Sequence, residues 1–142
     1  MSPRPKVLLD TSALLTHLLD EPGADIVQQH LSAGPEHAHI SAPTLVELER
    51  RLADFVQDEA ERDDILDQYC SRLCTLVDVD RASAEASIQL RRKSRNRLPM
   101  VDALIAGCAL RHEMVLIHRD EHLAGIPTKL LKQLPLTDRD DG

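Results

Sequence analysis

Short apolar runs alternate with stretches of helical spacing along this chain, and that alternation limits its fold more than any other feature. "KVLLD" (6–10), "HAHIS" (37–41), "TLVDV" (75–79) and "MVLIH" (114–118) have the length and apolar content of strands. Helical patterns separate them at about 12–20, 24–32, 43–55, 81–95 and over "VDALIAGCALRH". "DEAERDDILDQYCSRL" is read as a continuation of the third helix, and "KLLKQL" (129–134) as a last edge strand. Pro22-Gly23 breaks the first helical stretch, and Ser12 is the expected N-cap at its start. Strands that alternate with helices imply an α/β fold with a mainly parallel sheet covered on both faces. At 142 residues one domain is expected, over 1–136, with "TDRDDG" (137–142) a flexible acidic tail.

Composition narrows the function classes. With no Trp, one Phe and one Tyr, base stacking on an aromatic platform is nearly excluded. A net charge of -7 opposes broad attraction to nucleic acid while leaving room for a local basic strip. Three cysteines (Cys70, Cys74, Cys108) are too few for a disulfide framework and suit a reducing cytoplasm. Cys70 with Cys74, and Cys108 with His112, have helical i,i+4 spacing, but buried apolar roles are expected of the thiols. No apolar run spans a bilayer, and "KVLLD" is broken by its aspartate, so a soluble cytoplasmic protein is expected.

The chemistry rests on acids at element ends. Asp10 follows "VLL" and Asp120 follows "VLIHR"; on neighbouring parallel strands both leave the sheet at the same edge, where open α/β sheets bind ligands. Glu47 lies in the apolar start of a helix, while Glu49, roughly 200° around it, is assigned to the surface. Asp102 is the only charge in the thirteen residues of "LPMVDALIAGCAL", near a helix start. Each acid alone is explained by a cap or turn role. Together, four acids on separate elements form a hard oxygen set suited to Mg²⁺ or Mn²⁺ and to phosphodiester hydrolysis. "RRKSRNR" places Arg91, Arg92, Lys93, Arg95 and Arg97 just before the Asp102 segment. It is either a nucleic-acid backbone contact or a solvated helix end. The six acids between Asp58 and Asp67 are assigned to a solvated face.

On "VLLDTSALL", "APTLVELERRL", "VDALIAGCAL" and "VLIHRDEHL" the sequence resembles the PIN-domain ribonucleases, and among them the VapC toxins of toxin–antitoxin pairs. The resemblance implies a three-layer α/β/α sandwich and a divalent-metal site with Asp10, Glu47, Asp102 and Asp120 as its acids. It also implies endonucleolytic cleavage of RNA, a small antitoxin that blocks the site, and a homodimer. Thr11 and Ser12 match the family's "DTS", where a hydroxyl supports the metal water or caps the helix. Two positions depart from the pattern: His118 stands where Thr or Ser is common, and Leu123 where an aromatic is usual. His118 either bonds a phosphate or metal-bound water or ends the strand. Two other readings compete. One is a phosphotransfer domain with Asp10 as nucleophile and Lys129 or Lys132 holding the phosphoryl group. The other is a non-catalytic RNA-binding or protein-interaction module that retains the fold.

Overall fold

The computed structural model describes residues 5–94 and 97–136. The elements are β1 (Val7–Leu9), α1 (Thr11–Leu18), α2 (Ala24–Ser32), β2 (Ala38–Ser41), α3 (Ala42–Leu52), α4 (Glu59–Asp67), β3 (Thr75–Val77), α5 (Arg81–Lys93), α6 (Met100–Arg111), β4 (Val115–His118), α7 (Glu121–Ala124) and β5 (Gln133–Pro135). One sheet has the order β3-β2-β1-β4-β5, and every neighbouring pair is parallel.

Strand alternation divides the core in two. Val7, Leu9, Ile40 and Ile117 point to one face and pack with Leu14, Val27, Leu31, Leu48 and Tyr69. Leu8 and Leu116 point to the other and pack with Leu90, Ile105, Ala106, Leu123 and Ile126. The result is a three-layer α/β/α sandwich. Leu8 and Leu9 are completely buried, which stabilises the fold by about 1.5–3 kcal/mol each. On the second face α5 and α6 approach closely at Gly107, where an added Cβ would stand 1.9 Å from Ser87 Oγ and 2.6 Å from the Ser83 carbonyl.

Several expectations need correction. Asp10, not Ser12, caps α1, its side chain accepting from the Ser12 backbone N–H. The helix through 43–55 does not continue into the acidic stretch. It ends at Leu52, α4 starts afresh with Asp58 as its cap, and Gln68–Leu73 forms a wider π-helical turn. The last strand is β5 at Gln133–Pro135 rather than 129–134, and it lies at the sheet edge. A short helix, α7, follows Asp120 where none was expected. Arg95 and the 137–142 tail lie outside the described residues.

Candidate metal centre

Because all five strands run the same way, their carboxyl ends share one edge of the sheet. Asp10 leaves β1 there, and its backbone N–H bonds the Ile117 carbonyl of β4 at 3.0 Å. Asp120 follows β4 two residues beyond the same edge. α3 begins directly after β2, so Glu47 on its second turn stays at that end. α6 feeds into β4 and runs back across the sheet, which puts its first turn, with Asp102, at the edge as well. The four acids, with Thr11 and Ser12, line one small cleft of about 50 Å³.

Each acid has a defined support. Ser12 Oγ donates to Asp10 Oδ2 at 2.6 Å and accepts from the Arg119 N–H at 2.8 Å, so one hydroxyl couples the ends of β1 and β4. The Ser12 N–H also donates to Asp10 Oδ2, at 3.1 Å. Asp10 Oδ1 is buried with no hydrogen-bond partner. Thr11 Oγ1 donates to Glu47 Oε1 at 2.6 Å. Asp120 Oδ1 accepts from the N–H groups of His122 (2.7 Å) and Leu123 (3.3 Å), capping α7.

Burial and mutual repulsion control the protons. Burial is the main cause that raises Asp10 to about 6; Glu47 and Asp120 add to it, and the Ser12 hydrogen bonds oppose it. Asp102 is pushed up to about 7, by burial first and then by Asp120, Asp10 and Glu47. Three of the acids, Asp10, Glu47 and Asp102, have carboxylate oxygens within 4.8 Å of one another. A divalent cation fits these groups. The donors are hard oxygens, one buried oxygen has no partner, and three carboxylates crowd one small volume. Unpaired buried charge of this kind is costly unless a cation or a proton compensates it.

Other candidates fall elsewhere. His118 is completely buried and does not line the cleft; its Nδ1 accepts from the Asp120 N–H at 3.2 Å, and its Nε2 meets Gln133 Oε1 at 2.7 Å. Those partners require the neutral ring with its proton on Nε2, in keeping with a pKa lowered by burial. His118 thus holds the Asp120 turn from below. Glu49 is not a loose surface acid: its Oε1 accepts from Arg62 Nε at 2.9 Å, joining α3 to α4. Arg91, Arg92 and Lys93 form the exposed last turn of α5, and Arg97 is exposed on the link to α6. None of these four lines the cleft, and Arg91 Nε donates to the Leu98 carbonyl at 3.1 Å.

The cations that do line the cleft are Arg50 and Arg51. They stand three and four positions after Glu47 on α3, a helical spacing that could have marked them in the sequence. His122 is the other addition, with Nδ1 3.4 Å from Asp120 Oδ1 and 3.9 Å from Asp102 Oδ2. Lys129 and Lys132 line a separate hollow with Pro5, Glu113 and Met114, at the opposite end of β4 from Asp120, which removes the phosphotransfer reading. Burial raises the Cys70 thiol to about 11 and the Cys74 thiol to about 12, and all three cysteines are unpaired. Larger hollows of about 600 Å³ exist, but the one flanked by Lys6, Glu36, His37 and His39 gathers no comparable set of acids. Among the described residues no helix is long and apolar enough to cross a membrane.

The family model described as PIN domain matches residues 7–129. No curated protein sequence matches the chain. Among solved structures, a DNA-bound VapBC from Salmonella typhimurium is similar with a TM-score of 0.74 and 22% identity, over 94% of this chain and 100% of that one. VapBC2 from Rickettsia felis, bound to a DNA fragment from its promoter, has a TM-score of 0.73 at 17% identity, over 92% and 98%. VapC20 of Mycobacterium tuberculosis, described as a sarcin–ricin loop cleaving toxin, has a TM-score of 0.64 at 13% identity, over 84% and 93%. At these identities the likeness is one of fold.

Proposed function

The chain belongs to the PIN-domain family, and from that premise we propose that it is a divalent-metal-dependent endoribonuclease, the toxin of a type II toxin–antitoxin pair. The observation that carries this reading is the convergence of Asp10, Glu47, Asp102 and Asp120, from four separate segments, on one cleft in which Asp10 Oδ1 is buried without a partner. Its similarity in fold to VapBC complexes and to an RNA-cleaving toxin supports the same assignment.

In this reading Asp10, Asp102 and Asp120 hold Mg²⁺ or Mn²⁺, which when bound lowers the pKa of a water and stabilises the leaving oxygen. The remaining work belongs to the chain. Ser12 fixes Asp10 Oδ2 and leaves Oδ1 for the cation. Thr11 orients Glu47 through Oε1, and Glu47 accepts the proton of the attacking water on Oε2. Arg50 and Arg51 at the rim face the phosphate backbone, and the basic sequence of Arg91, Arg92, Lys93, Arg95 and Arg97 extends the electrostatic contact. A small antitoxin that covers the cleft, a homodimer and a cytoplasmic location complete the proposal.

The test is incubation of the purified protein with tRNA and mRNA in Mg²⁺, in Mn²⁺ and in EDTA. Cleavage that needs the cation and disappears in Asp102→Asn is the expected result. RNA that is bound but never cut, with any cation, would leave a non-catalytic module in its place.

A further inference from the structure

Asp102 belongs to two sets of donors. One is Asp10, Glu47 and Asp102; the other is Asp102, Asp120 and His122, whose ligating atoms also lie within 4.8 Å of one another. The second set is not purely acidic. His122 directs Nδ1 at both carboxylates, at 3.4 Å from Asp120 Oδ1 and 3.9 Å from Asp102 Oδ2. Donors on one first-row cation stand about 3–4 Å apart, given bonds of about 2.0–2.2 Å, so these separations need little adjustment to close on an ion.

The local architecture keeps the set in place. Asp120 Oδ1 is engaged with the N–H groups of α7, which fixes the carboxyl, and its N–H is held by His118 Nδ1. His122 is on the first turn of α7, and its side chain is about half exposed, so the ring can reach an ion and solvent can reach its open positions. A second feature of the cleft points to a ligand independently of this set: Asp10 is only 2% exposed, and its Oδ1 has no partner.

We propose that His122, Asp102 and Asp120 form a mixed nitrogen–oxygen site for a first-row divalent cation such as Mn²⁺, beside the all-oxygen position at Asp10. The site rests on the reading of the cleft as a metal centre. An imidazole ligand favours first-row transition ions over Mg²⁺, which prefers oxygen and its own waters. The chain therefore discriminates between the two cations through one residue, and Asp102 links the two positions.

The experiment is electron paramagnetic resonance of Mn²⁺ bound to the full chain, with binding isotherms for Mn²⁺ and Mg²⁺ in parallel. The expected result is nitrogen hyperfine coupling to bound Mn²⁺ in the parent and in Glu121→Ala. In His122→Ala the coupling disappears and Mn²⁺ affinity falls about tenfold or more, while Mg²⁺ affinity changes less than about twofold. Mn²⁺ bound without nitrogen coupling, or coupling that survives in His122→Ala, overturns the site. RNA cleavage separates this result from the broader reading. A parent that cuts RNA but lacks the coupling loses the His122 site and keeps the nuclease. A parent with the coupling that cuts no RNA in any cation keeps the site and loses the nuclease.

Discussion

Two groups of carboxylates in this molecule differ in everything except their chemistry. The first is the run on and before α4, where Asp58, Glu59, Glu61, Asp63, Asp64 and Asp67 are all exposed. Asp58 caps its own helix through the Ala60 N–H at 3.2 Å, and Asp67 stands 3.4 Å from Arg72. The second is the cleft set, of which Asp10 and Asp102 are buried and raised to about 6 and about 7. The dense run contributes solubility and a cap. The sparse set, gathered from positions 10, 47, 102 and 120, builds the site. Charge density along a sequence therefore says little about electrostatic work in the fold; what matters is how many charges share one desolvated volume.

The strongest way to break this contrast is to neutralise one acid from each group. Asp102→Asn should lower Mg²⁺-dependent RNA cleavage about 100-fold or more, whereas Asp63→Asn should leave it within about twofold. Equal effects in a gel-based cleavage assay would mean that the buried set has no special role. A sharper form uses two glutamates on the same helix. Glu47→Gln should abolish most cleavage. Glu49→Gln should retain it and cost about 1 kcal/mol of stability in urea unfolding, because its bond to Arg62 Nε weakens. If the two variants lose cleavage alike, the separation by helix face fails.

The cations come next in size. Neutralising Arg91, Arg92, Lys93, Arg95 and Arg97 together should weaken RNA binding about tenfold and flatten its dependence on salt, as counterion release requires. Filter binding across a salt series measures both, and an unchanged slope would return the strip to a solvated helix end.

Acid titration gives a smaller effect with a definite sign. Asp10 and Asp102 bind protons more tightly in the folded chain than at the unfolded value of 3.8. Their contribution to metal-free stability is therefore most favourable at acid pH and declines as pH rises through about 6 and about 7. Thermal unfolding in EDTA should show this decline for the parent and a shallower one for Asp102→Asn, with the variant more stable by about 1–3 kcal/mol near pH 8. A variant less stable than the parent there would assign Asp102 a structural role. Smallest of all, Asp63→Asn should change stability by less than about 0.5 kcal/mol at any of these pH values.

Much of the fold was legible because its signals are local. "KVLLD", "HAHIS", "TLVDV" and "MVLIH" became strands within a residue or two, since apolar runs bounded by turns have few alternatives. The crossover rule allows β1 and β4 to be parallel neighbours without fixing it; the sheet does pair them, which brings Asp10 and Asp120 to one edge. What the sequence concealed depends on contacts between distant segments. The break after Leu52 has no proline or glycine to announce it; the chain turns there because Val56 bonds back to the Leu52 carbonyl at 2.7 Å and Arg62 reaches the carbonyls of Val56 and Gln57. The Ser12 hydroxyl looks like a helix cap until Arg119 is seen to donate to it from across the sheet. β5 starts later than "KLLKQL" suggests because Leu131 is drawn into the core ahead of it. Neither Arg50, Arg51 nor His122 stood out, because each is an exposed polar residue whose meaning comes only from what lies opposite.

The strand order has a consequence for the birth of the molecule. β1 is the middle strand of the sheet, yet its partners are β2, some thirty residues later in the chain, and β4, which begins only at Val115. As the chain leaves the ribosome, its central strand waits with one side unpaired until β4 has followed. The Ser12–Arg119 bond, spanning 107 residues, forms at the same moment. Closure over so long a loop is slow compared with local helix formation, so the helices precede the sheet. The cleft cannot be assembled piecemeal during synthesis: Asp10 acquires its neighbours Asp102 and Asp120 only after the helices and strands between them have been made.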